Sequence, residues 1–315
     1  MSEAAPLFGT DAAPAPSGAA GEWFTGAGGA RLRAALFPAS GQPRGSVVLS
    51  GGRTEPIEKY FEVAAELTGR GFVVLIHDWR GQGLSQRLLA ERLKGHAVGY
   101  DDVLTDYSAL IAAFESRLPK PWLAIGHSMG GCLTALALAK GERRFSAAVL
   151  TAPMFGIFTA PLPPGVARTL ARAMSAIGLG GAMVPGANLA APPAAFEANL
   201  LTHDARRYKR NVDQILAYPD LALGPPTWGW LDFAFAAIHE LRRGPGVTQV
   251  EMPVTVFAAG ADRVVDNRDL RLVADRFPKG EYIEISGAHH EILQETDAIR
   301  AVFWREFDAL AAAVV

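Results

Sequence analysis

One serine in this 315-residue chain lies in a context that favours nucleophilic chemistry. Ser128 is the centre of Gly126-His127-Ser128-Met129-Gly130, which follows an apolar stretch typical of a buried strand and precedes small and apolar residues typical of a buried helix. Glycines two residues before and after the serine allow a sharp strand-to-helix turn without a side-chain clash. Such a turn would hold the hydroxyl at the start of a helix, where unpaired N–H groups can bind an oxyanion.

A serine nucleophile needs a base and an acid, because an imidazole must take its proton and a carboxylate must fix the imidazole tautomer. Asp262 and the pair His289-His290 each come shortly after the end of a later predicted strand. Asp262 is favoured over Asp266, which lies further from the strand end and is typical of a helix N-cap. The residues alone leave His289 and His290 as alternatives. Since ligands bind beyond the carboxyl ends of parallel strands, these positions predict a Ser-His-Asp triad.

A metal site at the same histidines is disfavoured by their spacing. Zinc ligands on a helix lie three or four residues apart, as in H-E-x-x-H, whereas His289, His290 and Glu291 are contiguous. We therefore predict no metal site and no cofactor. His127, beside the serine, is expected to pack within the turn.

Strands and helices are predicted to alternate along the chain. Strands are predicted at 31–37 (as an edge strand), 45–50, 72–76, 121–125, 147–150, 254–259 and 281–285. Helices are predicted at 58–70, 100–117, 166–177, 204–217, 228–241, 267–277 and 296–312, and also directly after the serine. This pattern indicates an α/β fold with a mostly parallel, doubly wound sheet.

The predicted elements divide the chain into four parts. Residues 1–21 are rich in Ala, Pro, Gly and Ser, which predicts a loose tail. Residues 22–152 and 228–315 form the two parts of the core. Residues 153–227 are dense in Pro, Gly and Ala and contain no convincing strand, which predicts a helical cap inserted over the serine.

The composition of the chain limits which partners the protein can bind and where in the cell it is expected. Half of the residues are hydrophobic and the net charge is −2, so we expect a large core and no nucleic-acid partner. We recognise no signal peptide and no apolar run long enough to span a membrane. The single cysteine, Cys132, cannot form an internal disulfide, and we predict a cytoplasmic protein.

Four stretches carry a family resemblance: Gly126-His127-Ser128-Met129-Gly130-Gly131, His77-Asp78-Trp79-Arg80-Gly81-Gln82-Gly83-Leu84-Ser85, Gly260-Ala261-Asp262-Arg263 and Gly287-Ala288-His289-His290-Glu291-Ile292-Leu293. Together they resemble the lysophospholipase and monoacylglycerol lipase branch of the α/β hydrolases, and most of all the bacterial lysophospholipases. The resemblance covers 47–303 and is weak in the cap. It implies that His290, which follows a Gly-Ala-x triplet, is the catalytic histidine.

Two backbone N–H groups are candidates for the oxyanion hole. The resemblance implies one donor at Met129 and a second in the loop Gly51-Gly52-Arg53, where missing side chains let the backbone approach a ligand. We predict Gly52, with Arg53 as the alternative. One departure is Ser50-Gly51-Gly52, where many relatives begin this loop with His-Gly.

These residues predict a serine hydrolase of carboxylic esters, in which Ser128 attacks, His290 accepts the proton and Asp262 orients the imidazole. The resemblance implies a lysophospholipid or monoacylglycerol substrate, and the Leu-, Ala- and Met-bearing stretch 167–183 suits an acyl chain. Peripheral membrane contact through the cap is a further hypothesis. The alternatives are an esterase of small esters, a proline-type peptidase and a hydrolase-shaped binding protein without catalysis.

Overall fold

The structure is a computed structural model that describes residues 3–189 and 195–314. Its strands are β1 (Ala4–Ala5), β2 (Ala20–Thr25), β3 (Arg31–Phe37), β4 (Gly45–Ser50), β5 (Phe72–His77), β6 (Trp122–His127), β7 (Ala147–Thr151), β8 (Val254–Ala259) and β9 (Gly280–Ile285). Its α-helices are α1 (Phe61–Gly69), α2 (Asp101–Phe114), α3 (Met129–Ala139), α4 (Pro164–Ala176), α5 (Ala205–Ala217), α6 (Trp228–Arg243), α7 (Asn267–Ala274) and α8 (Asp297–Val314).

These strands form one sheet in the order β1-β2-β3-β5-β4-β6-β7-β8-β9. All neighbouring pairs from β5 to β9 along this order are parallel, whereas β1, β2, β3 and β5 pair antiparallel. Parallel neighbours need crossover connections, and helices supply them here. The predicted α/β fold with a mostly parallel sheet is confirmed.

Two clusters of buried side chains cover the two faces of this sheet. One contains Val48 and Leu75 with side chains of α2, α3, α6 and α7, and the other contains Val47 and Val74 with side chains of α1 and α8. Neighbouring residues of a strand point to opposite faces. The unbroken apolar sequences of the central strands therefore follow from burial on both sides.

The N-terminal residues differ from the prediction of a loose tail over 1–21. Strand β1 pairs with β2, and Phe8 stacks on Tyr218 with 4.5 Å between ring centroids. A Cβ at Gly21 would lie 2.5 Å from the Ala5 carbonyl oxygen, so the small residues that suggested disorder allow close backbone pairing. The prediction was wrong for residues 3–21, and residues 1 and 2 lie outside the described part.

Strand β3 is also not the edge strand that we predicted. It pairs with β2 on one side and with β5 on the other. The reason is the missed β2, whose short sequence Ala-Gly-Glu-Trp-Phe-Thr lacks a clear alternation of apolar and polar residues.

Residues 153–227 contain α4 and α5, and no strand of the sheet among the residues described there. Helix α4 packs on α6 through Ala167, Ala171, Trp228 and Phe235. The helical insertion of the predicted fold is therefore present, while the exact boundaries between cap and core stay a prediction. Within the described ranges, no helix combines the length and the apolar character needed to cross a bilayer.

Candidate active site

The turn between β6 and α3 places Ser128 in a strained conformation. Its φ is 50° and its ψ is −117°, a region that non-glycine residues rarely adopt. A Cβ at Gly130 would lie 2.2 Å from the Ser50 carbonyl oxygen, and one at Gly126 would lie 2.7 Å from the Cα of Gly131. Both glycines are thus required by close backbone contacts, as the sequence pattern predicts.

Ser128, His290 and Asp262 lie in one hydrogen-bonded chain. The Ser128 Oγ is 2.9 Å from His290 Nε2, and His290 Nδ1 is 2.7 Å from Asp262 Oδ2. His290 is buried, and the Asp262 side chain has no exposed surface. The three residues follow β6, β9 and β8, so the predicted convergence at the carboxyl ends of these strands is observed.

Asp262 and Asp266 have separate partners. Asp262 Oδ1 accepts hydrogen bonds from the N–H groups of Val264 (2.7 Å) and Val265 (3.0 Å). Burial alone would raise the pKa of Asp262, but the hydrogen bond with His290 and these two N–H groups lower it. Asp266 caps α7 by accepting from the Arg268 N–H, which is the role that we predicted for it.

His289 points away from the serine and belongs to another cluster. Its ring lies against that of His203, with 3.7 Å between centroids and a tilt of 32°, and its backbone N–H donates to Glu295. His203, His289 and Glu295 offer ligand atoms within 4.8 Å of one another, a different set from the contiguous residues weighed in the sequence. The oxygens of Glu295 already accept hydrogen bonds from His203, His289 and Thr296. These hydrogen bonds explain how the buried carboxylate is stabilised without a metal ion.

His127 packs beneath the triad, as expected. Its Nδ1 lies 3.1 Å from the Thr151 carbonyl oxygen, and its ring centroid lies 5.0 Å from that of His290. Burial lowers the pKa of His127 to about 4. The ring is therefore neutral at pH 7 and adds no positive charge beside His290.

The loop after β4 lies against Ser128. A Cβ at Gly52 would be 3.1 Å from the Cβ of Ser128, but the Gly52 N–H donates to the Glu55 carboxylate. Of the two predicted donors in this loop, Gly52 is thus already engaged, whereas no hydrogen bond of the Arg53 N–H is found among the described residues. Met129 is the first residue of α3, where N–H groups have no partner within the helix.

A buried ion-pair network beneath this loop was missed in the sequence analysis. Lys59 Nζ lies 2.7 Å from Glu55 and 2.5 Å from Glu291, and the Tyr60 hydroxyl donates to Glu55. Burial would raise the pKa of Glu55, but Lys59 and His127 lower it to about 2, whereas burial raises the pKa of Glu291. The four-residue spacing of Glu55 and Lys59 could have predicted their ion pair. The contact of Lys59 with Glu291 joins distant parts of the chain and has no local pattern.

Asp78 and Arg80 organise the turn after β5, as predicted. Asp78 accepts the Leu84 N–H at 2.8 Å and pairs with the buried Arg33, while Arg80 pairs with Asp106 at 2.7 Å. Among the described residues, neither Asp78 nor Arg80 forms a hydrogen bond with Ser128, His290 or Asp262.

A pocket of about 630 Å³ opens above Ser128 and His290. The insertion contributes mainly apolar side chains to it, including Ile157, Phe158, Leu162, Leu170, Val184 and Leu201. The core contributes Arg53, Glu55, Met129 and Glu291 beside the triad. The arrangement combines a hydroxyl–imidazole–carboxylate chain with an apolar chamber large enough for an acyl chain.

Comparisons with known proteins agree with this fold. A family model for serine aminopeptidase, S33 (Hydrolase_4) matches residues 41–297. Lysophospholipase L2 of Escherichia coli strain K12 is 37% identical over 294 residues, which cover 89% of this chain and 83% of that protein. Monoacylglycerol lipase of Mycolicibacterium smegmatis is 25% identical over 283 residues, with 87% and 91% coverage.

A solved structure extends the likeness of fold over the whole chain. A soluble variant of monoglyceride lipase from Saccharomyces cerevisiae, in complex with a substrate analog, superposes with a TM-score of 0.76 at 16% identity, covering 99% of this chain and 100% of that one. The family match, the identity to a bacterial relative and the shared fold lead to one conclusion. This chain belongs to the α/β-hydrolase family Hydrolase_4, serine aminopeptidase, S33.

Proposed function

We propose that this protein is a serine hydrolase that cleaves carboxylic esters through an acyl-enzyme. The supporting observation is the hydrogen-bonded chain of Ser128, His290 and Asp262 at the base of an apolar pocket. Ser128 Oγ attacks the ester carbonyl carbon while His290 Nε2 takes its proton, and Asp262 holds the imidazole in place. His290 then gives the proton to the leaving alcohol. A water molecule, activated by the same histidine, releases the fatty acid and restores the serine.

The oxyanion formed at each step is bound by backbone N–H groups. Met129 supplies one donor at the start of α3, and the loop Gly52-Arg53 supplies the other. If Gly52 is that donor, Glu55 must release its N–H, since a carboxylate and an oxyanion repel each other. The Arg53 N–H needs no such release.

The substrate is a lipid ester, either a lysophospholipid or a monoacylglycerol. The apolar lining from the insertion favours an acyl chain over a small acyl group. The names of two relatives, a lysophospholipase and a monoacylglycerol lipase, point to the same two substrates.

Aminopeptidase activity, which the family description names, is less well supported. A peptide ammonium group needs a carboxylate partner in the pocket. The described pocket lining offers Glu55 and Glu291, and both already bind Lys59. A binding protein without catalysis is also disfavoured, because all three triad side chains are present and in contact.

Helix α4 is proposed to touch the membrane or micelle that holds the substrate. Leu162, Val166, Leu170 and Ile177 on and beside this helix are 37% to 68% exposed, and the helix sequence contains Arg168 and Arg172 but no acidic residue. Exposed apolar groups with flanking cations favour an interfacial contact. The cytoplasmic location stays a prediction.

The test is hydrolysis of p-nitrophenyl esters of graded chain length, together with a lysophospholipid and a monoacylglycerol. The wild type should cleave esters, with a preference for longer chains, and Ser128→Ala and His290→Ala should lose at least about 1,000-fold in kcat. His289→Ala is the matched control, because this neighbouring imidazole contacts His203 instead of Ser128. Full activity in Ser128→Ala, with the fold checked by circular dichroism, would refute the proposal.

A further inference from the structure

One cation in the wall of the catalytic pocket lacks an acidic partner. Arg53 lines the pocket together with Ser128 and His290. Its Nη2 donates to the Gly224 carbonyl oxygen, and its guanidinium carbon lies 5.1 Å from the Trp230 ring centroid. A Cβ at Gly95 would lie 2.2 Å from Nη2, so the glycine leaves the space that the guanidinium occupies.

The surroundings of Arg53 leave its charge uncompensated. Within the described residues, no carboxylate lies within 4.0 Å of Arg53, and its Nε is buried without a hydrogen-bond partner. Burial lowers the pKa of Arg53 to about 10, so the group is still a cation at pH 7. Burying a cation without an anion is unfavourable, and Arg53 is one of the residues that line the pocket.

Two other buried cations, Arg33 and Lys59, are compensated by carboxylates. Arg33 pairs with Glu58 and Asp78, and Lys59 pairs with two carboxylates. Arg87 resembles Arg53 in that burial lowers its pKa to about 10, yet it donates to the carbonyl groups of Gly81, Gly83 and Ala222. Arg87 is thus explained as a link between loops, whereas Arg53 has one carbonyl partner and faces the site.

We propose that Arg53 binds the phosphodiester of a lysophospholipid substrate. This inference rests on the proposed ester hydrolysis and names the head group that the site selects. The planar guanidinium can donate two parallel hydrogen bonds to phosphate oxygens, and its Nε is a donor that no group of the described protein uses. A monoacylglycerol carries no anion and would leave Arg53 unpaired, so the site discriminates against neutral glycerides.

The position of Arg53 fits this role. It follows Gly52, which lies directly against Ser128, whereas the apolar wall is made by the insertion. An acyl chain placed on the apolar wall leaves the glycerol and its phosphate on the side of the loop. The ester then lies between the apolar wall, which binds the acyl chain, and Arg53, which binds the phosphate. A lysophospholipid has these two groups at its opposite ends.

The experiment compares two soluble substrates with the same octanoyl chain, a lysophosphatidylethanolamine and a monoacylglycerol. Arg53→Gln should lower kcat/KM for the lysophospholipid about 10- to 100-fold, mainly through KM, because a charge-assisted pair is lost. The monoacylglycerol value should fall by a smaller factor, because this substrate carries no phosphate and the substitution keeps the backbone N–H that can bind the oxyanion. Arg87→Gln is the matched control and should affect both substrates equally.

The outcomes separate the two proposals. Equal losses of Arg53→Gln on both substrates would make Arg53 a structural link to Gly224 and would overturn the inference while ester hydrolysis stands. Failure of the wild type to cleave either ester would remove the proposed function and the inference with it. If Arg53→Gln does not fold, an inhibition assay on the wild type tests the inference instead. Glycerol 3-phosphate should inhibit hydrolysis of p-nitrophenyl butyrate competitively, whereas glycerol should not. Equal effects of the two additives would overturn the phosphate site.

Discussion

The two walls of the pocket above Ser128 differ in charge: the core wall holds buried charged side chains among apolar ones, whereas the wall from the insertion is mainly apolar. The core wall carries the triad and the Glu55–Lys59–Glu291 network, in which charged groups are buried and paired. The wall from the insertion is apolar and partly exposed, with Phe158 at 50% and Leu170 at 37% exposure.

This contrast separates two tasks. Buried ion pairs and hydrogen bonds fix side chains in one geometry, which a proton transfer requires. Apolar, exposed side chains lose little when they move and can adapt to acyl chains of different length. We therefore expect changes in the triad and in the Glu55–Lys59–Glu291 network to act on kcat or on stability, and changes in the insertion wall to act on KM.

The largest effect is expected from Asp262→Asn. The amide keeps the size of the side chain but cannot hold the required tautomer of His290, so kcat should fall by about 10,000-fold. Thermal unfolding should stay close to that of the wild type. A loss of less than tenfold in a kinetic assay would show that the Asp262–His290 contact is not used in catalysis.

The next largest effect is expected on the free energy of unfolding, where a buried and an exposed lysine can be compared. Lys59→Met would leave Glu55 and Glu291 buried without their cation, and should lower the free energy of unfolding by about 3 to 5 kcal/mol. Lys209→Met is the control, because Lys209 is 73% exposed and pairs with Asp213 on the surface of α5; its loss should stay below about 0.5 kcal/mol. Urea denaturation of both variants tests this, and similar values would contradict the contrast.

A smaller effect concerns the attachment of α5 to the core. Burial would raise the pKa of Glu62 on α1, but Arg207, Arg210 and Arg300 lower it from 4.5 to about 2. A depressed carboxylate pKa stabilises the fold above pH 4.5, and this contribution disappears as the pH falls toward 2.

Glu62→Gln should therefore be less stable than the wild type at pH 7 by about 1 kcal/mol, after allowance for solvent screening. The difference should shrink steadily between pH 4.5 and pH 2. Urea unfolding curves over this range test it, and a difference independent of pH would assign the loss to packing instead of charge.

The smallest effect is expected in the insertion wall. Leu170→Ser should raise KM for a long-chain ester about 3- to 10-fold, leave p-nitrophenyl acetate hydrolysis unchanged, and alter stability by less than about 0.5 kcal/mol. Leu272→Ser, with 43% exposure on α7 and outside the pocket, is the control and should change neither substrate. Equal effects of the two variants would show that the chamber does not bind the acyl chain.

Local patterns in the sequence predicted most of the core. Each central strand was apolar on both faces, and Gly126 and Gly130 predicted the turn that the backbone contacts require. Asp266 was separated from Asp262 because a helix cap has a local pattern. The choice of His290 over His289 came from family resemblance alone, since adjacent loop residues give no local clue to their directions.

Features that depend on distant contacts could not be predicted. The pairing of β1 with β2 needs a close contact between Gly21 and the Ala5 carbonyl oxygen. No hydrophobic periodicity in the sequence predicts this contact. The engagement of the Gly52 N–H by Glu55, and the placement of Arg53 between Gly224 and Trp230, likewise depend on tertiary packing. The proposed oxyanion loop and the proposed head-group site depend on these contacts, so both proposals required the structure.

The central claim is that Ser128 is a nucleophile activated by His290 and Asp262. Intact-protein mass spectrometry after incubation with a fluorophosphonate tests it most directly, with the modified residue located by peptide mapping. We predict one phosphonyl adduct on Ser128, none in Ser128→Ala and a much slower reaction in His290→Ala. An unmodified Ser128 in folded protein that still hydrolyses esters, or an adduct on another residue that abolishes activity, would contradict the account.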